Sequence, residues 1–345
     1  MNTRQSSRTQ ESQWTRRAAL GATAAAGTTI LVRRTRAADF KFVQYHNQTN
    51  TGPLHKNLVA MWEAIRQETN GRVETTVYPE NNNLKEGDPG ALKMLLGGEI
   101  QFFTLMGGII GTVVPMAEVQ QVPFSFKSSA EAAKAIDGPL GAYMAEEMAA
   151  KGMYLFPVAG FDNGMRQITL VDHPVFKPED LAGVKIRVPP GQLIFDTFEA
   201  FGAQPVTAPA NQIYEAIKTG RVGAQENPLA VLEGYRIYEL IKYVSMTNHM
   251  WSGFNEMAHL ATWRSLPSDA KDIITRNVTK YVRAQRVEQD RLNTSLRDRF
   301  AATLAFNEID QSPFRARLAK VYAKWKDTFG TKCWTLLEAE VGKLG

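Results

Sequence analysis

From Ser268 to Phe306 the chain contains neither glycine nor proline, and Leu292, Leu296, Phe300 and Leu304 recur every four residues along one helical face. Ser268 can cap such a helix, and Asp269 and Asp272 in its first turn meet the positive end of the dipole. A helix of that span would be about 57 Å long. One small domain cannot cover that length, so the run predicts a helix that leans on two lobes. Its outer face, rich in Arg and Asp, reads as solvated surface.

The preceding chain alternates strand and helix signals. Asp39–His46 and Arg72–Tyr78 alternate apolar and polar residues as half-buried strands do. Between them Leu54, Leu58, Met61, Trp62 and Ile65 form a 3.6-period stripe that Gly71 ends. Pro79–Gly90 is turn-rich, then a short helix (Ala91–Leu96) leads to an apolar strand (Ile100–Met106). The rhythm restarts with a helix over Ala130–Lys151 and strands near Met153–Val158, Val184–Val188, Gln204–Val206, Val222–Gln225, Tyr243–Thr247 and Gly253–Leu260. This predicts α/β lobes with parallel sheets. Lobe I is expected to comprise 38–161 plus about 252–290, and lobe II 162–251 plus about 291–345. Two shorter helices, Phe314–Phe329 and Trp334–Lys343, should finish the chain. Two lobes, several crossings and a brace describe a cleft that buries a small solute and closes on it.

The formal charge of +5 invites a nucleic-acid reading, but it sits at one end. Residues 1–37 hold seven arginines and one acid, and the remainder carries 33 basic and 34 acidic residues. A nearly neutral body gives no global case for phosphate-backbone binding. Arg16-Arg17 precedes a short apolar stretch, Ala18–Val32, and Thr35-Arg36-Ala37 suits cleavage after Ala37. That order reads as a twin-arginine leader, which implies export to the periplasm of a chain with no membrane span of its own. Cys333 is the only cysteine, so no intrachain disulfide forms. No two of the five histidines sit at i, i+4, which argues against a helix-borne zinc site, and nothing calls for a metal or cofactor.

Three segments carry chemistry. Phe161-Asp162-Asn163-Gly164-Met165-Arg166 contains a turn signal that delivers Arg166 to a strand. In Lys185-Ile186-Arg187-Val188-Pro189-Pro190, Ile186 and Val188 share one face and Arg187 takes the other. A guanidinium there can grip a carboxylate through two parallel hydrogen bonds. In Gln225-Glu226-Asn227-Pro228, Asn227 can donate to a carboxylate, and Pro228 helps aim it. On the residues alone, Asp162 or Glu226 could equally neutralise Arg166 or Arg187.

In this order and spacing, these segments resemble the solute-binding proteins of tripartite ATP-independent periplasmic (TRAP) transporters, the dicarboxylate-type family. The resemblance spans about residues 39–300 and includes Gly71-Arg72-Val73, Val122 to Phe126 and Thr247-Asn248-His249. It implies a two-lobed, periplasmic-binding-protein-like α/β fold with a long bracing helix, closing on an organic acid that is passed to TRAP permease subunits. It implies that Arg187 holds the solute carboxylate, that Arg166 assists and that Asn227 completes the clamp. Asn163, Gln225 and Glu226 are expected in the same site, and Asn47, His55 and Asp162 within reach of ligand hydroxyls. An aromatic that often follows the proline near the cleft is replaced by Ala210, leaving room for Trp251 to fill. Candidate solutes are hydroxy or keto acids, aromatic acids and sugar acids. Two other readings stay open. One is a ligand sensor reporting to a membrane receptor. The other is an enzyme on organic acids, although Gly-x-Ser-x-Gly, P-loop and His-Glu-x-x-His motifs are missing.

Overall fold

The computed structural model describes residues 38–344, so the leader lies outside the described residues. The first lobe begins β1 (Phe40–His46), α1 (Pro53–Glu68), β2 (Val73–Tyr78), α2 (Gly87–Gly97), β3 (Phe102–Met106) and α3 (Gly107–Ile110). Pro53 opens α1 at a position whose N–H needs no partner, and the predicted stripe Leu54, Leu58, Met61, Trp62 and Ile65 is buried. Then come α4 (Ser129–Ile136), α5 (Pro139–Ala149) and the long β4 (Met153–Met165). The break that splits the predicted 130–151 helix is Gly138-Pro139.

The second lobe contains β5 (Gln167–Leu170), β6 (Lys185–Val188), α6 (Gln192–Ala200), β7 (Gln204–Thr207), α7 (Ile213–Lys218), β8 (Ala224–Asn227), α8 (Leu229–Gly234) and β9 (Tyr243–Met246). The chain returns through β10 (Trp251–His259) and α9 (Leu260–Ser265) into α10 (Ser268–Phe300), followed by β11 (Ala305–Glu308), α11 (Ser312–Ala316) and α12 (Ala319–Val341).

The sheets run β2-β1-β3-β10-β4 and β11-β9-β5-β8-β6-β7. Neither is wholly parallel, as the strand–helix rhythm had suggested. β1, β2 and β3 are parallel, but β10 returns from the other lobe and lies antiparallel to both β3 and β4. β5 likewise enters its sheet antiparallel to β8 and β9. The antiparallel members are the strands next to the interlobe crossings, which must reverse direction to change sheets.

α10 is the predicted brace. Its 33 residues are about 50 Å long, and it lies against α1 and β4 on one side and α8 on the other. It ends at Phe300 rather than Phe306 because Ala305–Glu308 pairs in register with β9. Leu296, Phe300 and Leu304 still fill the second lobe's core. At the C-terminus, α12 continues past the expected gap with a kink at Gly330 (φ 77°). It packs on α4, α5 and the Pro115–Gln121 turn as well as on α6. The last segment therefore leans chiefly on first-lobe elements, because its aromatic face (Tyr322, Trp325, Trp334) finds its core there.

Candidate functional site

Arg187 lies on β6 with Ile186 and Val188 buried on the opposite pleat face. It is 2% exposed. Nε donates to the Ala208 carbonyl at 2.8 Å, and among the described residues the terminal nitrogens have no ion-pair partner. Burial pulls its pKa down to about 10, with Glu226 and Asp88 opposing and Arg166 adding to the shift. It is still a cation at neutral pH, and an unpaired buried cation is costly unless an anion meets it.

Arg166 behaves differently. Its Nε and one terminal nitrogen grip both carboxylate oxygens of Glu226. It also donates to the Glu226 carbonyl (2.8 Å), Asn227 Oδ1 (3.0 Å) and Ser252 Oγ (3.0 Å). Its fork thus pairs with Glu226 inside the protein. Burial pushes the Glu226 carboxyl up, but the Arg166 charge and hydrogen bonds from His249 and Arg166 hold it below the usual range. His249 is fully buried, and that burial lowers its pKa. Its Nε2 lies 3.2 Å from a Glu226 carboxylate oxygen and its Nδ1 2.8 Å from the Thr247 hydroxyl.

The Asp-Asn-Gly run forms no hairpin turn. Gly164 pairs with Ser252 and Asp162 with Gly253, so Asn163 is the extra residue of a β-bulge, and Gly164 takes φ 106°. The bulge turns Asn163 toward the cleft, where Nδ2 donates to Ser252 Oγ at 3.2 Å. Three α10 side chains hold the bulge. Gln285 bonds both the N–H and the carbonyl of Asp162, while Gln289 and Asn293 donate to the Asn163 carbonyl.

Arg187, Arg166, Asn227, Asn163 and Asn47 line one small interlobe cavity, with Met106, Ile109 and Phe254 as its apolar walls. Its volume is about 20 Å³, room for one or two water molecules. The lobes meet around it. The Tyr235 hydroxyl donates to the Asn47 carbonyl, and Glu118 of the first lobe accepts from the Leu193 N–H at the start of α6 (2.8 Å).

Asp88 is the wall residue that sequence reasoning missed. It is 2% exposed and faces the same cavity. Burial raises its pKa, while Asn81, Asn47 and Arg187 pull it back. Asn81 donates to one oxygen at 2.7 Å and Asn47 to the other at 3.1 Å. Asn81 reaches it because Glu80–Asn83 all adopt φ of 50–55°, a left-handed turn that asparagine tolerates better than most residues. The Asn81-Asn82-Asn83 run was the available signal.

Other expected site residues lie elsewhere. Gln225 and Glu226 are fully buried behind the wall, where Gln225 accepts from Asn227 Nδ2 at 2.6 Å. Trp251 does not fill the space beside Ala210. Its ring covers Gly253, where a Cβ would lie 2.0 Å from it, and Nε1 donates to Asp162 at 2.8 Å. His55 turns from the cleft to pair with His46, nitrogen to nitrogen at 2.9 Å.

The family described as bacterial extracellular solute-binding protein, family 7, matches residues 44–328. A solute-binding protein of Chromohalobacter salexigens is 28% identical over 272 residues, covering 78% of this chain and 80% of its own. A TRAP periplasmic solute-binding protein of Roseobacter denitrificans with bound β-D-glucuronate superposes with a TM-score of 0.82 at 24% identity, over 88% of this chain and 100% of that one. Another from Chromohalobacter salexigens, with bound D-glucuronate, gives 0.81 at 25% identity, over 87% and 98%.

Proposed function

The chain belongs to family 7 of the bacterial extracellular solute-binding proteins, and from that premise we propose that it captures an organic acid by its carboxylate at Arg187 and hands it to a TRAP-type permease. The observation that carries this reading is the state of Arg187: buried on the cleft wall, charged, and paired with no carboxylate among the described residues. The neighbouring acid that could have neutralised it, Glu226, is committed to Arg166. A ligand carboxylate entering the cavity loses its water, and charge-assisted hydrogen bonds from Arg187 replace it. One Asn227 amide hydrogen holds Gln225, which leaves the second for the ligand. Asp88 and Asn163 are placed to bond hydroxyls. The glucuronate in the 25%-identical relative supports a sugar acid as cargo. Arg16-Arg17 and the small-residue cleavage pattern support export by the twin-arginine route and a periplasmic location. No helix among the described residues is long and apolar enough to cross a membrane.

A thermal-shift screen of the mature chain against organic acids tests this, since a ligand that binds only the folded state raises the melting point. D-glucuronate or a related acid should raise it, and the uncharged parent sugar should not. Equal shifts with the acid and the neutral sugar would refute the carboxylate reading.

A further inference from the structure

The loop between β1 and α1 forms a first-lobe edge of the cleft. Across it Gly234 lies against Thr49, and the Tyr235 hydroxyl donates to the Asn47 carbonyl. A pair of histidines holds this loop at its base. His46, fully buried at the end of β1, places Nε2 2.9 Å from Nδ1 of the half-buried His55 on α1. Nδ1 of His46 accepts from the Gln48 N–H at 3.2 Å. That N–H and the Asn47 carbonyl belong to one planar peptide group, so the His46 ring helps fix the plane whose oxygen Tyr235 bonds.

These contacts determine where the protons lie. A backbone N–H only donates, so His46 Nδ1 carries no proton and the neutral ring holds its own on Nε2. That Nε2–H donates to His55 Nδ1, and both accepting lone pairs are then in use. A third proton on the pair leaves a single lone pair for two hydrogen bonds, so at least one is lost. Either two N–H groups face each other at the 2.9 Å contact, or the Gln48 N–H loses its acceptor. Each loss frees the peptide that Tyr235 holds. No counter-charge offsets the added proton. α1 brings Lys56 to the loop, the turn before α2 brings Glu80, α2 brings Asp88 and α10 brings Glu288, and among the described residues none of these bonds either ring. Burial lowers the pKa of both histidines, His46 to about 3, so the pair is neutral at neutral pH.

We propose that His46 and His55 are positioning residues for solute release: the neutral pair sets the Asn47–Gln48 peptide for Tyr235, and a proton taken up by the pair undoes that interlobe contact, so that the cleft opens in acid. The closed contact disfavours the proton, and by linkage the proton favours opening. This goes beyond the carboxylate reading and uses it only to choose a probe.

The test compares the mature wild type with His55→Gln, whose amide oxygen accepts from His46 without titrating, and with Tyr235→Phe, which lacks the donor. Amide exchange over residues 47–52 of the free protein, corrected for the intrinsic effect of pH, reads the contact without a ligand. Stopped-flow dissociation of D-glucuronate reads release. Between about pH 7.5 and about pH 5, wild-type protection should fall and dissociation should quicken by about tenfold, the worth of one hydrogen bond. His55→Gln should change by at most about twofold over that range, and Tyr235→Phe should dissociate quickly at both ends of it. Wild-type exchange that ignores pH, or an equal slope in His55→Gln, overturns the proposal. Should His55→Gln not fold, a wild-type pH slope of dissociation retained in Tyr235→Phe overturns it. Absence of D-glucuronate binding at every pH counts against the sugar-acid cargo, and the exchange data still decide on the histidine pair.

Discussion

Glu226 closes its ion pair on Arg166 and leaves Arg187 unpaired, although Arg187 lies on the adjacent strand, one register position away. Arg187 is the partner of Gln225 across the β6–β8 ladder. Side chains alternate along a strand, so Gln225 and Asn227 share the face of Arg187 while Glu226 takes the other. The pleat therefore keeps Glu226 off the face of Arg187 and leaves it to Arg166.

Arg187→Ala should remove most ligand affinity. Truncating one partner of a buried charged pair costs roughly 2–5 kcal/mol, about 30- to several-thousand-fold. Arg187→Lys should also bind poorly, because a point charge cannot replace the planar fork. Titration calorimetry of both variants checks this, and near-native affinity in Arg187→Ala would contradict it.

Glu226→Gln should lower stability more than it alters the cavity wall. It leaves Arg166 as an uncompensated buried cation, at a cost of about 3–5 kcal/mol. Replacing Arg166 and Glu226 together by Met and Leu should recover much of that loss, since well-packed apolar residues often substitute for a buried pair. Urea unfolding of the single and double variants separates these outcomes. A double variant no more stable than Glu226→Gln would mean that the polar network itself specifies the packing.

Two buried acids predict how stability depends on pH. Burial raises Glu256, bonded to Thr104 and Gln44, to about 8, and Glu118, which accepts from the Leu193 N–H in the first turn of α6, to about 7. Both folded-state values exceed the unfolded one, so the folded chain holds the extra protons. Their contribution is complete below about pH 4.5 and is lost as pH rises through 7 for Glu118 and 8 for Glu256. Each group supplies a slope of at most about 1.4 kcal/mol per pH unit. Urea midpoints measured from pH 5 to 9 should therefore fall, and Glu256→Gln should flatten the upper part of that fall. An unaltered profile in that variant would assign the slope to other groups.

Gly191→Ala should weaken binding by opposing closure. A Cβ there would lie 3.1 Å from the Gly108 carbonyl oxygen, across the junction between α3 and α6. Stopped-flow measurement should show a dissociation rate several-fold faster than wild type, about 1 kcal/mol of lost closed-state stability. A change confined to the association rate would mean that the junction does not tighten on closure.

The sequence by itself determined the local periods: the α1 stripe, the pleat face of Arg187, the turn-prone asparagines and the glycine-free run of α10. Each is written within a few residues of itself and set by backbone geometry. Only the tertiary structure decided the pairings between distant segments. Arg166 lies 60 residues from Glu226, Asn47 lies 41 residues from Asp88, and Trp251 donates to Asp162, 89 residues away. The end of α10 was decided in the same way, because pairing with β9 outweighed helix propensity at Ala305–Glu308. The physical reason is common to these cases. A buried charge or ring takes the partner that the closed fold brings within reach, and that geometry forms only when both sheets and the brace are assembled.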